Sequence, residues 1–142
     1  MPINLDSYKK ISAVDYSTLF GQEIVAAGYG ITKHSHGNVF ASTFHLNKNL
    51  QVLKFLVRKC SEKGTDVIRP NMCLSPRCGG TSVACGGDSG GPLLHPSGIV
   101  GVLTASSSFG CRPDFKAHGY TLDFGIATPV SPYIQWIHDT IK

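Results

Sequence analysis

The sequence predicts a β-rich, loop-rich globule of one domain, and three observations lead there. Charged residues make up only 15% of the 142 positions, while glycine occurs sixteen times. That balance suits strands and turns better than a helical bundle or a disordered tail. Apolar, β-branched runs such as Gly98 to Thr104 are short and bounded by glycine or serine. The length is enough to bury one core. The same composition excludes several partners. A formal net charge of +4 is mild, and the lysines and arginines are scattered without interleaved aromatics, so nucleic acid is not expected. No apolar stretch approaches the length of a membrane span. The N-terminus lacks the apolar region of a secretory signal. Five cysteines, spaced as pairs plus one left over, point the other way, to an oxidising compartment. The two are reconciled by the expectation that Met1 is not the ancestral start.

Taken in order, residues 1–20 are polar and aperiodic and read as a connector, with a domain expected over 21–142. Gly21 to Gly30 reads as a strand ending in a glycine-punctuated turn. Thr32 to Asn38 is a polar loop with His34 and His36, an HxH pair without a thiolate or carboxylate partner nearby, so no metal is expected. Phe40 to Leu46 reads as the next strand, with His45 alternating between Phe44 and Leu46. Asn47 to Glu62 changes period: Leu50, Leu53, Val57 and Cys60 fall on one face at helical spacing, with Asn47 or Asn49 available as cap. Gly98 to Thr104 is a buried strand, followed by a serine-rich loop from Ala105 to Cys111. Ser131 is a natural cap and Pro132 suits a first helical position. Tyr133, Ile137 and Ile141 then make one apolar face of a terminal helix. His95 and His118 read as loop residues, His138 lies on the wet face of that helix, and Asp114, Asp123 and Asp139 read as solvated charges.

The chemistry centres on Cys85-Gly86-Gly87-Asp88-Ser89-Gly90-Gly91-Pro92-Leu93. A serine flanked by glycines and preceded by aspartate suits an exposed nucleophile, because small neighbours admit a substrate backbone and unusual backbone angles. The amides of Gly87 and Ser89 can converge where the oxyanion of an acyl-transfer transition state would sit. This stretch resembles the nucleophile segment of the chymotrypsin/trypsin family of serine endopeptidases. The likeness runs from about Gly21 to the C-terminus. It includes Gly21-Gln22 with Gly28-Tyr29-Gly30, Ile68 to Cys73, Gly125 to Val130, and Tyr133-Ile134-Gln135-Trp136-Ile137.

The resemblance implies an all-β fold, a six-stranded antiparallel Greek-key β-barrel with one internal helix and a C-terminal helix, the second of that family's two barrels. It implies strands at 66–74 and 125–130, a helix ending near Cys60, and the terminal helix packed on the barrel. It pairs Cys60 with Cys73, stapling that helix to the next strand, and Cys85 with Cys111, leaving Cys78 free or intermolecular. A further family pair would fall at Ile24 and His95, where both members are missing. Ser89 is implied as nucleophile, Gly87 as oxyanion donor and Asp88 as the activation aspartate. Val83 and Ala84 would line the floor of the primary specificity pocket, Thr104, Ala105 and Ser106 the substrate-backbone segment, and Gly125 a pocket wall. An apolar floor cannot pair with lysine or arginine. The family uses no cofactor, acts on polypeptides and is extracellular.

A serine hydroxyl needs an oriented base, and the family's histidine and aspartate motifs, both in its first barrel, do not occur here. His45, Asp66 and Ser89 stand in family order, but the intervals hold too few residues for a first barrel, and order alone is a weak signal. Two readings follow: a serine endopeptidase represented by its nucleophile-bearing half and inactive alone, or a non-catalytic homologue acting as a binding module. In either, the barrel face that packs on a first barrel is left apolar and exposed, which invites self-association.

Overall fold

The computed structural model describes residues 10–30, 49–60, 70–76, 87–106 and 125–141. Six strands, β1 (Glu23–Gly28), β2 (Gln51–Arg58), β3 (Met72–Pro76), β4 (Pro92–His95), β5 (Gly98–Ser106) and β6 (Gly125–Pro129), close into an antiparallel barrel in the order β1-β2-β3-β6-β5-β4. The closing pair is β1 with β4, through Val25↔Leu94 and Ala26↔Leu93. Alternation decides what fills the interior. Ile24 and Ala26 of β1 point inward, as do Phe55 and Val57 of β2, Leu93 of β4 and Leu103 of β5, all buried in one core.

Residues 51–58 are a strand, not the expected helix. The helical reading rested on Leu50, Leu53, Val57 and Cys60. Leu53, Phe55 and Val57 also alternate at period two, and Phe55 and Val57 are fully buried on that pattern whereas Leu50 is 45% exposed. Pairing with β1 from Glu23↔Leu56 to Gly28↔Gln51 supplies the backbone partners that a helix would have found locally. Strand-favouring Val and Phe at the buried positions tip the balance. The Cys60–Cys73 disulfide forms as expected, with a Cα–Cα distance of 4.9 Å. It ties the end of β2 to β3, strand to strand, where the expectation was helix to strand. The expected strand at 66–74 is observed at Met72–Pro76, with Met72, Cys73, Leu74 and Ser75 buried. The proposed strand at 40–46, Cys78 and the Cys85–Cys111 pair lie outside the described residues, as do His34, His36, His118, Asp114 and Asp123.

Residues 10–20, expected as a connector, lie against the barrel. Ile11 makes a parallel bridge with Ile99, Ser12 N–H donates to the Ile99 carbonyl at 2.9 Å, and Ile99 N–H donates to Lys10 at 2.9 Å. A 3-10 turn over Tyr16–Leu19 follows, its N-terminus capped by the Asp15 side chain, which accepts from Ser17 N–H. The turn inserts Leu19, fully buried, among the core side chains. Gly21 and Gln22 then exchange backbone bonds with Val57. This lead segment closes the mouth made by the start of β1 and the end of β2.

At the other end of the sequence a 3-10 turn, Ser131–Tyr133, precedes α1 (Ile134–Thr140). Ser131 makes no cap bond to the turn; its hydroxyl accepts from Tyr16 N–H at 3.0 Å, so a long-range partner takes the oxygen that local capping would use. The apolar face expected of this helix is only partly covered: Ile137 is half-buried, but Tyr133 is 36% and Ile141 72% exposed. His138 and Asp139 are on the wet face as expected. His95 ends β4 instead of lying in a loop, and Ile24 is in the core. No described helix is long and apolar enough to cross a membrane.

Candidate functional site

The open mouth is framed by the ends of β1, β3 and β5 and the starts of β2, β4 and β6, and across it lies the turn 87–91. Gly87 and Gly90 have φ of 96° and 86°, left-handed values that a side chain would strain. Gly91 N–H donates back to the Asp88 carbonyl at 3.0 Å and closes the turn. Two further bonds pin it to β5: Gly90 N–H to the Leu103 carbonyl at 2.7 Å, and Leu103 N–H to the Gly91 carbonyl at 2.9 Å. The result presents Ser89 outward and exposed, with Asp88 half-buried beneath it.

Asp88 reaches across to the turn that follows β1. Its Oδ1 accepts from Gly30 N–H at 2.8 Å, and a Cβ placed on either Gly28 or Gly30 would run into its carboxylate. The Gly28-Tyr29-Gly30 doublet is therefore a cradle with room for a carboxylate and nothing more. Sequence reading assigned these glycines to turn formation; their spacing was the visible signal, but the anion they hold lies 58 positions away. Beside the carboxylate, Leu53, Phe55 and Leu103 enclose a void of about 10 Å³, close to one water.

Ser89 lines an open groove of about 650 Å³ together with Tyr29, Leu50, Pro92 and Leu94. The groove is largely apolar, and Tyr29 is 60% exposed on it. Among the described residues no side chain hydrogen bonds the Ser89 hydroxyl. The described histidines are engaged elsewhere: His95 with Ser97 and Gln22 at 2.8 and 3.0 Å, and His138 beside Asp139.

Of the other expected site residues, Thr104 is exposed and donates its hydroxyl to the Ile126 carbonyl at 3.1 Å. Ala105 and Ser106 pair with Ile126 and Gly125 in the β5–β6 ladder, which brings the three to the same mouth as Ser89. Gly125 is buried, and a Cβ there would touch Leu74 and Leu103 at ordinary contact distance, inside the barrel. Val83 and Ala84, and the alternative partners His45 and Asp66, fall outside the described residues.

Comparison with known proteins places this geometry in a family. The Trypsin family profile matches residues 2–137, taking in the lead segment as well as the barrel. Protein C of Mus musculus (vitamin K-dependent) is 31% identical over 129 residues, covering 87% of this chain and 26% of its own length. Granzyme M of Rattus norvegicus is 34% identical over 122 residues, covering 85% of this chain and 43% of its own. The chain thus spans less than half the length of these curated relatives. Among solved structures, a scabies mite inactivated protease paralogue, S-I1, matches in fold with a TM-score of 0.54 and 20% identity, over 85% of this chain and 46% of that one. The chain belongs to the trypsin family.

Proposed function

We propose that this barrel carries the nucleophile of a trypsin-like serine endopeptidase acting on polypeptides, and that by itself it does not hydrolyse them. The observation behind this reading is the outward Ser89 lining a groove, in a turn braced by Asp88 on Gly30, while the described histidines bond other partners. Ser89 is the nucleophile and the amides of Gly87 and Ser89 the oxyanion donors; Asp88 holds the turn. A base and its orienting carboxylate come from a first barrel that packs against the apolar groove. Without the base the rate falls on the order of a millionfold, because triad members act as a unit. A fluorophosphonate probe tests this directly. The 142-residue chain should leave Ser89 unlabelled, whereas rapid labelling lost in both Ser89→Ala and His45→Ala would establish a self-contained triad and overturn the reading.

The specificity we infer rests on the family likeness, which assigns Val83 and Ala84 to the pocket floor, Thr104, Ala105 and Ser106 to the substrate-backbone segment and Gly125 to the wall. The completed enzyme should favour apolar residues before the scissile bond; efficient cleavage of arginyl peptides would contradict this. The Cys60–Cys73 disulfide supports an extracellular setting. The second reading, a non-catalytic binding module, is favoured by the separation of the described histidines from Ser89. The native protein's intact mass separates the two: close to 15.2 kDa supports the module, and about twice that the enzyme. The exposed Tyr29 and Leu50 of the groove are where the lone barrel would self-associate.

A further inference from the structure

The β4–β5 hairpin draws a serine, a histidine and a glutamine into one hydrogen-bonded line that does not include Ser89. Its loop is two residues long, Pro96-Ser97, between His95 and Gly98, which face each other in the ladder. The proline ring fixes the backbone at the first loop position, and Ser97 comes back onto the imidazole. Ser97 Oγ lies 2.8 Å from His95 Nδ1, and His95 Nε2 lies 3.0 Å from Gln22 Oε1. Gln22 is pinned on both sides: its N–H donates to the Leu19 carbonyl at 2.9 Å and its carbonyl accepts from Val57 N–H at 3.0 Å. The hydrogens along the line follow from its far end. The Thr18 carbonyl can only accept, and it takes Gln22 Nε2 at 2.7 Å. Gln22 therefore turns its oxygen to the ring, so the neutral imidazole carries its hydrogen on Nε2 and a lone pair on Nδ1. The Ser97 hydroxyl donates to that lone pair, with the Ser97 N–H beside it at 3.3 Å. Ser12 Oγ, which accepts from Val14 N–H at 3.2 Å, donates its own hydrogen to Ser97 Oγ at 2.7 Å. One lone pair of the Ser97 oxygen is left over, on a residue that is exposed to solvent while Ser12 behind it is buried.

We propose that Ser97 is a nucleophile in its own right, with His95 as its general base and Gln22 as the positioning residue, and that it takes the acyl group of small activated aryl esters. Ser97 Oγ forms the new bond to the ester carbonyl carbon while its hydrogen passes to His95 Nδ1. The bond from that carbon to the aryloxy oxygen breaks with its electron pair, and the departing aryloxide takes the proton from Nδ1. Acylated Ser97, a neutral imidazole and a phenol are the products. A carboxamide is enough to orient the base, because what the serine needs is the right tautomer, and an acceptor oxygen on Nε2–H enforces it. The same oxygen steadies the imidazolium that forms during transfer. The substrate class follows from magnitude. A positioned base supplies about a hundred- to ten-thousandfold, which suffices for an ester with a good leaving group and falls short of what an amide demands. The site is thus independent of Ser89 and of any base brought by a first barrel.

Incubating the 142-residue chain with 4-nitrophenyl acetate, then mapping peptides by mass spectrometry, reads acetylation residue by residue. Ser97 should be acetylated about a hundredfold faster than Ser17, which is also exposed but bonds the Asp15 carboxyl. In His95→Gln, a far weaker base of similar reach, the ratio of Ser97 to Ser17 should fall by about the same factor. Ser17 in the same molecule corrects for any general loosening of the fold. Gln22 is tested by two substitutions that both lose the bond to Thr18. Gln22→Leu also removes the acceptor from Nε2–H and should lower the ratio roughly tenfold, as one oriented hydrogen bond sustains. Gln22→Glu keeps an acceptor oxygen there and should hold the ratio at or above the wild-type value. Equal acetylation of Ser97 and Ser17 in wild type, a ratio unchanged in His95→Gln, or equal losses in Gln22→Leu and Gln22→Glu would each overturn the proposal.

Discussion

At one mouth of the barrel Leu19 is sunk among core side chains, a disulfide ties β2 to β3, and a lead segment is laced across the opening by backbone and side-chain bonds. At the other, a turn with two left-handed glycines holds a serine out to solvent and a half-buried carboxylate beneath it, next to a small void and an open apolar groove. Both are made from the ends of the same six strands, so the strands do not decide the difference. What decides it is the filling. Apolar burial at the closed mouth stabilises the barrel, whereas the open mouth holds left-handed turn positions that only glycine meets easily and a half-buried carboxylate that must be hydrogen-bonded, features that add little stability and suit chemistry. The comparison suggests that the closed mouth supplies the rigidity on which the open one depends.

The largest effect should come from removing the plug. Leu19→Ala empties a fully buried site and should cost about 2–5 kcal/mol of unfolding free energy, read from denaturant midpoints. Ser89→Ala at the open mouth should change it by about 0.5 kcal/mol or less. Similar losses for the two would break the comparison. Next, Gly30→Ala drives a methyl into the Asp88 carboxylate. Overpacking of that kind costs about 1–3 kcal/mol, and amide shifts should move through residues 87–91 and not through 10–22. Shifts spreading equally to both would show the mouths to be one mechanical unit.

The smallest effect concerns Asp15. Hydrogen bonding from the Ser17 backbone, then its side chain, holds this carboxyl below its ordinary value. A depressed value means that its contribution is present above the unfolded-state pKa and lost as pH falls through the folded one. The group is fully exposed, so the slope should be slight. Comparing stability against pH for wild type and Asp15→Ala measures it, and identical slopes would remove Asp15 from the account of the closed mouth.

How much of this was legible beforehand differs from residue to residue. The turn that presents Ser89 was, because Gly87-Asp88-Ser89-Gly90 carries its conformational needs in its own residue types. β1, β6, the Cys60–Cys73 pair and the terminal helix were recovered too, largely through family likeness. The stretch 51–58 was misread, because Leu53 and Val57 satisfy both a helical and an alternating pattern and only the pairing partner discriminates. Leu19 was missed because a single leucine in a polar run has no periodicity to betray it. Ser131 was given a local role that a distant backbone amide, Tyr16 N–H, had already claimed.

By itself, then, the sequence determined what depends on near neighbours: where the chain must turn, which serine is flanked by space, and which runs are apolar enough to be strands. Only the tertiary structure decided which strand Phe55 would join, that Leu19 would close one mouth, and that Gly30 would hold Asp88 at the other. Each of these joins residues far apart in sequence, and their partners become available only once the barrel has closed and the entropy of bringing them together has been met by burial elsewhere.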